Sequence, residues 1–413
     1  MRLIDRKLSL NPLLSIAVFH ACVVRVVYIP GYNTIASVLC AIILCVMLLR
    51  VKKIFSEPYL KVNLLLFAMS AVMVVSSLLN SYNMNGTLLF IARLNLLTWF
   101  LEIQCSEGRI RSTATVFFLC CVVYLLITYY YIVSDPLMAW RNELNYLVGT
   151  KFSVSYLALF GLIMYVIAAG RSIKTIPRAV LFAALCVLAL LLALRIDCNT
   201  GAIGIVLFML AIAFKPVLEH PLHKPITYLV TSIFVTFILF AFGEIVLHVG
   251  FVSDVITNVF GRSSDLSGRT YVYEHVFPFL VNSPLFGYGY NSVYALFEGV
   301  MMFSATGNAL DAQNAILEYC LYFGLVGVAL LYCYICFVLS RGARHIAEGD
   351  DWGRYVSLVG LYVLTVLGMA EITINVQFFA YIALYAALSA EEALARDFGY
   401  PAPVGRIATI FNC

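Results

Sequence analysis

The sequence predicts an all-α, polytopic integral membrane protein with about twelve transmembrane helices, forming a single transmembrane domain over residues 1–413. Three observations carry that prediction. Hydrophobic residues fill 63% of the 413 positions and charged residues only 12%, against roughly 45–50% and 25% in a typical soluble domain. The mean hydropathy is +0.96. Apolar runs of near-span length recur from one end of the chain to the other. A soluble globule of this size would expose apolar patches far beyond what a soluble monomer tolerates. The composition therefore excludes a soluble enzyme, a disordered chain and a nucleic-acid binder.

A bilayer core about 30 Å thick takes roughly 20 apolar residues per helix. The runs lie near 12–29, 32–49, 62–79, 86–101, 113–133, 152–169, 178–194, 200–214, 226–248, 314–339, 355–370 and 373–390. The eighth is short, and the last two divide at Glu371. Lipid leaves no water to satisfy the backbone, so continuous apolar runs cross it as helices. Arg2, Arg6 and Lys7 precede the first run and no small-residue cleavage site follows it, so it reads as a retained span and not a signal peptide.

Lys and Arg set the orientation. Nineteen of the 26, among them Arg50, Lys52, Lys53, Lys61, Arg109, Arg171, Lys215 and Arg344, fall at the two ends or in connections on one side. Only Arg141, Lys151, Arg195, Arg262 and Arg269 fall on the other. Both termini are thus predicted cytoplasmic. The net charge of +4 is a topology signal and not a partner signal. The two remaining arginines, Arg25 and Arg93, interrupt the first and fourth runs. They read as facing the bundle interior or snorkelling, with Glu244 a possible structural partner for Arg93.

Most of the 12 cysteines lie in apolar runs and read as small hydrophobes. Cys333 and Cys336 have metal-ligand spacing but sit in an apolar helix, so core packing is the reading; no metal site and no disulfide framework is predicted. His20 reads as a satisfied core histidine. His248, one turn after Glu244, lies near the external end of its span. His220, His223 and His345 fall on the cytoplasmic side. Tyr129, Tyr130 and Tyr131 read as an interfacial belt or a sugar-stacking surface.

Residues 249–313, between the ninth and tenth spans, form an external loop too long to be a simple connection. Tyr271–Val281 within it reads as a short helix on the outer leaflet. The loop carries Ser267-Gly268-Arg269, then Tyr273, then Pro284-Leu285-Phe286-Gly287-Tyr288-Gly289. Asp311-Ala312-Gln313-Asn314 opens the tenth span, which continues into Phe323-Gly324-Leu325-Val326-Gly327. An arginine fork bonds pairs of phosphate oxygens and stays charged, which suits a lipid-linked diphosphate at the bilayer surface. Arg269 equally suits a loop cap paired with Asp265 or Glu274. Gln313 and Asn314 at a helix start add amide donors and the positive end of the helix dipole.

The order of these pieces, from Ser267 to Gly327, resembles the O-antigen ligase/polymerase family, the Wzy-type repeat-unit polymerases and O-antigen ligases. The resemblance implies a GT-C-like helical glycosyltransferase in a bacterial cytoplasmic membrane. It implies an undecaprenyl-diphosphate-linked glycan donor, a glycan acceptor, release of the lipid diphosphate without a metal ion or other cofactor, and other polysaccharide-assembly membrane proteins as partners. Arg269 matches the family's loop arginine and Tyr273 an aromatic position that is often Trp. Asn314 matches the Asn of the family's His-Asn pair, but Gln313 stands where the His would be. Gln cannot take a proton and can only orient groups. The Arg195–Gly201 stretch has an arginine a few residues early for the family's motif near span eight. The departures weaken a ligase reading more than a polymerase reading.

The implied chemistry needs cations for the departing diphosphate and a group that aligns or deprotonates the acceptor hydroxyl. Arg269 is the first cation, with Arg262 and Arg195 behind it. Asp311, Glu274, His275 and Glu318 are the acid–base candidates. Glu318 lies four residues after Asn314 on one helix face, where it either serves the site or pairs with another helix. Three functions compete: a polymerase of surface-polysaccharide repeat units, a ligase transferring glycan to another acceptor, and a transporter or flippase of lipid-linked glycan. No internal repeat of the transporter kind is visible.

Overall fold

Each of the twelve apolar runs coincides with a helix in the computed structural model, which describes residues 11–26, 29–56, 59–135, 146–247, 269–298, 311–343 and 352–397. The helices are α1 (Asn11–Val18, continued by a π-helical turn Phe19–Val23), α2 (Tyr32–Leu48), α3 (Val51–Ile54), α4 (Leu60–Leu79), α5 (Met84–Ser106), α6 (Ile110–Ser134), α7 (Lys151–Ala169), α8 (Ile176–Arg195), α9 (Asn199–Ala213), α10 (Lys215–Leu222), α11 (Pro225–Leu247), α12 (Arg269–Asn282), α13 (Val293–Phe297), α14 (Ala315–Ala343), α15 (Trp352–Leu367) and α16 (Val376–Asp397). Among the described residues the fold is helical apart from turns and one isolated bridge, Tyr146 to Gly149. It is that of a polytopic membrane protein. Among the described residues, six helices can cross a bilayer by length and composition, or seven if α9 and α10, bent by 101°, count as one span. α1 with its π turn, α2 and α15 are shorter apolar helices.

The bundle has a central layer and a lipid-facing layer. α5 and α7 are buried along most of their length, and α15 and α16 are buried over nearly all their described side chains. α6 and α8 turn Leu119, Val123, Leu126, Leu188, Leu191 and Leu194 outward. Outward aliphatics are the stable arrangement where the solvent is hydrocarbon. Cys333 departs from the core-packing expectation: it is exposed on α14, while Cys336 is half-buried and Cys22, Cys121 and Cys320 are buried. His20 is satisfied within the bundle, its Nδ1 2.7 Å from the Tyr32 hydroxyl and 3.1 Å from that of Tyr124. Tyr129, Tyr130 and Tyr131 are exposed at the end of α6.

The two ends of the bundle differ in chemistry. At one, Glu107 accepts from Arg50 (2.9 Å), Lys53 (3.0 Å) and Arg109 (3.1 Å), and Lys215 sits 4.6 Å over the Trp352 ring. At the other, helix starts are capped by polar side chains. Asn83 Oδ1 accepts from Gly86 N, Thr150 Oγ1 from Ser153 N, Asn314 Oδ1 from Ile316 and Leu317 N, and Asn375 Oδ1 from Gln377 and Phe378 N. These caps satisfy orphan amides at the starts of α5, α7, α14 and α16. All the features described next lie at this capped end.

Candidate active site

Two of the sequence motifs interlock. Gly324 breaks α14 with φ 66° and ψ −172°, a conformation open essentially to glycine alone. In an unbroken helix the amides of Leu325 and Val326 would bond the carbonyls of Leu321 and Tyr322. The strap Pro284–Gly289 is inserted between them. Tyr288 N donates to Leu321 O (2.8 Å) and Gly289 N to Tyr322 O (2.9 Å), while Leu325 N donates to Pro284 O (2.8 Å) and Val326 N to Leu285 O (3.2 Å). A Cβ at Gly324 would stand 2.1 Å from Leu285 O, and one at Gly287 (φ 63°) 2.4 Å from Leu321 O. The Pro-Leu-Phe-Gly-Tyr-Gly and Phe-Gly-Leu-Val-Gly motifs are therefore the two halves of a backbone clasp. α4 grips it from below: Ser76 Oγ donates to Tyr322 O (2.7 Å) and Asn80 Nδ2 to Gly287 O (2.9 Å). Tyr290, next along the strap, stacks on Phe90 with centroids 4.7 Å apart.

The clasp leaves 315–323 as a short half-helix, and the Asp311–Asn314 turn sits at its start. Asp311 Oδ1 accepts from Gln313 N (2.9 Å), and Gln313 itself has φ 49°. Asn314 is fully buried; it caps the half-helix with Oδ1 and its amide donates to Thr236 O (3.3 Å). Glu318 is 2% exposed, and both its oxygens are engaged, Oε2 by Ala312 N (2.8 Å) and Oε1 by the Tyr322 hydroxyl. Asn314 and Glu318 thus hold this turn in place from the inside. Ala315 N donates to Gly368 O (2.8 Å), which seats the turn beside the α15–α16 connection carrying Glu371.

One opening at this end is a cleft of about 180 Å³. It runs between the end of the first span, α5, the start of α7 and the start of α16, lined by Val23, Val24, Arg25, Arg93, Ser153, Tyr156, Asn375 and Gln377 among others. α1 has ended in a π turn by this point and Val24 is extended. Non-helical backbone at membrane depth is tolerated where it lines a cavity, and π turns concentrate at functional sites. Arg25 and Arg93 make no ion pair among the described residues. The Arg93 Nε, the Tyr156 hydroxyl and Gln377 Oε1 are buried without a hydrogen-bond partner. Buried polar groups are almost always paired, and three without a partner among the described residues meet at this one cleft.

Beside Tyr156 the electrostatics change sign. Glu371 and Asp311 both lie close enough to Tyr156 to act on it, and Glu371 Oε1 accepts from Thr200 Oγ1 (3.3 Å) at the start of α9. The cleft carries Arg93 of α5 and Arg25 from the chain just past α1, and Glu371 lies in the α15–α16 connection.

Of the residues expected from sequence, the structure brings together Asp311, Gln313, Asn314 and Glu318. Arg195 is exposed at the end of α8 and is not among the residues lining the cleft. The backbone of Arg269, Tyr273 and Glu274 lies in α12, where a short helix was expected, but their side chains fall outside the described residues. Arg262, Asp265 and His248 lie outside the described residues altogether, as does the side chain of Glu244. Arg25 and Arg93 carried a visible signal, a charge inside an apolar run. Tyr156, Glu371 and Gln377 carried none that single-sequence reading isolates. No model of a known protein family matches this chain, and no curated protein does.

Proposed function

We propose that this chain is a membrane glycosyltransferase that polymerises undecaprenyl-diphosphate-linked oligosaccharide repeat units of a surface polysaccharide. In this reading it works on the external face of a bacterial cytoplasmic membrane, with about twelve GT-C-like spans and both termini cytoplasmic. The observation that supports it best is the Arg25–Arg93 cleft. Two guanidinium groups line one opening, that of Arg93 half-buried on α5 and that of Arg25 exposed just past the first helix; neither is in an ion pair among the described residues, and a buried Arg93 donor is left without a partner. An uncompensated cation inside an apolar bundle is expensive, and a lipid-borne diphosphate is an anion that reaches this depth with its apolar tail in the bilayer.

The mechanism follows from that placement. The glycosidic C–O bond to the diphosphate breaks as an acceptor hydroxyl attacks the same carbon. Negative charge grows on the departing diphosphate, so the preorganised arginines bind it more strongly in the transition state than in the ground state. In this reading Arg269 supplies a further cation from the loop. The clasp fixes the half-helix and the Asp311–Asn314 turn, which in this reading aligns the acceptor.

The test uses purified protein in nanodiscs and the lipid-linked oligosaccharide that accumulates in cells from which this chain has been deleted. Wild type yields a ladder of products. Arg93→Gln lowers the rate by about 10²–10³, the range for removing one charge-stabilising donor, while Arg93→Lys recovers part of it. A single larger product formed only with a second acceptor would replace polymerisation with ligation. No product from folded wild type, with lipid-linked glycan crossing liposome membranes instead, would replace transfer with transport.

A further inference from the structure

We infer that Gln377 and Tyr156 read the sugar that the diphosphate carries, so that the cleft tells a glycosyl diphosphate donor from the bare lipid diphosphate left after transfer. The inference rests on the reading above for the place of the diphosphate, at Arg25 and Arg93, and deepens it by assigning the groups that select the donor.

The polar side chains on the cleft divide by the partner each requires. Two are already used. Ser153 Oγ lies 3.2 Å from Thr150 Oγ1, and Asn375 Oδ1 accepts from the Gln377 and Phe378 amides. Arg93 Nε, the Tyr156 hydroxyl and Gln377 Oε1 remain, buried on the same opening, with no hydrogen bond to one another or to any other described residue. A guanidinium N–H only donates, so Arg93 calls for an acceptor, which a phosphate oxygen supplies. An amide oxygen only accepts, so Gln377 calls for an O–H or N–H. The diphosphate of the donor is a diester and has no O–H of its own, and the lipid tail has none. The sugar is the part that carries hydroxyl or acetamido donors. The Tyr156 hydroxyl can donate or accept and suits the same ring.

The two chemistries come from different elements. The guanidinium groups belong to α5 and to the chain just past α1. The amide and the phenol belong to α16 and α7. Gln377 is the second residue of α16, its backbone amide held by Asn375 and its side chain 9% exposed. Tyr156 lies in the second turn of α7 and is 4% exposed. Both side chains are therefore more than nine-tenths buried and line the opening. A site whose buried polar groups an analogue leaves unpaired rejects that analogue. The released lipid diphosphate is such an analogue: it satisfies the arginines and leaves Gln377 and Tyr156 without a partner, which favours its departure once the sugar is gone.

The experiment compares wild type, Gln377→Met, Tyr156→Phe and Arg93→Gln in nanodiscs. The probes are the accumulated lipid-linked oligosaccharide and undecaprenyl diphosphate, each loaded singly so that no second glycan is present to accept. Native mass spectrometry reads how much of each lipid the protein retains. Wild type retains the oligosaccharide more strongly than the bare diphosphate. Gln377→Met and Tyr156→Phe keep the side-chain volume, and each lowers that preference about 2- to 12-fold, the range for one neutral hydrogen bond, with retention of the bare diphosphate unchanged. Arg93→Gln lowers retention of both lipids. In the ladder assay the KM for donor rises in Gln377→Met by the same factor as its binding falls. A preference unchanged in both Gln377→Met and Tyr156→Phe overturns the inference, as does an equal loss of the two lipids or a wild type that retains them equally. If Gln377→Met does not fold, an unchanged preference in Tyr156→Phe overturns it. The binding readout needs no turnover, so a folded wild type that forms no ladder overturns the polymerase reading separately.

Discussion

Gly324→Ala is the sharpest structural perturbation available. The new Cβ would stand 2.1 Å from Leu285 O and 2.4 Å from Phe286 N, both backbone atoms that no rotamer change can move aside. The backbone angles there are also closed to alanine at a cost of about 1–3 kcal/mol. The strap must therefore release. Release breaks four backbone hydrogen bonds between strap and α14, and the straightened helix re-forms two of its own. A net loss of two bonds is roughly 1–3 kcal/mol, and losing the Tyr290–Phe90 stack adds about 0.5–1.5 kcal/mol. The expected destabilisation is about 1.5–4.5 kcal/mol. Gly31→Ala is the control, because Gly31 has φ 77° but open space around it, so only the left-handed backbone penalty of about 1–2 kcal/mol applies. The assay is thermal unfolding followed by a thiol-reactive fluorophore, for which buried Cys320 on the half-helix is a direct reporter, together with proteolysis of the loop. A Gly324→Ala melt equal to wild type, or one no lower than Gly31→Ala, would refute the clasp as the element that fixes this end of the protein.

Further outcomes concern the opposite end. Glu107 is partly desolvated, which raises its pKa, but the Lys53 hydrogen bond and the charges of Lys53, Arg50 and Arg109 outweigh this and hold it below the ordinary carboxylate value. Its folded value is depressed, so its stabilisation is present above about pH 4.3 and is lost as pH falls through the folded value. Glu107→Gln should lower stability by at most about 1 kcal/mol at pH 7, given its exposed partners, with the two melting temperatures converging in acid; a gap that persists at pH 3 contradicts this. Burial first, then the charges of Arg354, His220 and Lys215, lower the His223 pKa to about 3. Below about pH 6.5 the unfolded chain takes up a proton that the folded chain refuses, so stability falls by up to about 1.4 kcal/mol per pH unit. Melting temperatures of wild type between pH 7 and 5 should fall more steeply than those of His223→Gln, and parallel curves would show that His223 is not the group responsible.

The helices were legible because a helix in lipid is a local property, written in consecutive apolar residues. Their breaks were less so. Nothing in Phe19–Val23 announces a π turn, which arises from what packs around it. The clasp motifs were visible as words without a meaning. That Gly287 and Gly324 are pressed against each other's segments is a contact between distant stretches, and no spacing rule encodes it. Arg25 and Arg93 stood out as charges in apolar runs, and facing the bundle interior or snorkelling was the reading of each alone; lining one cleft together is what gives them a different one. Asn314 was legible as a helix start, and there the structure finds a buried cap. Tyr156 and Gln377 drew no notice, because each takes its place at the cleft from parts of the chain far from it in sequence.

The break in α14 also sets how the protein meets its bilayer. Unbroken, the 29 residues of Ala315–Ala343 would make a rod about 44 Å long, half as long again as a hydrocarbon layer about 30 Å thick. Such a mismatch is relieved by tilt or by deforming the membrane. With the break at Gly324, residues 325–343 form a segment of about 28 Å, close to the layer's own thickness. The nine residues above it are carried by the strap instead of by the lipid. A thinner membrane would tilt the long segment and leave the half-helix, with its turn, held by the clasp.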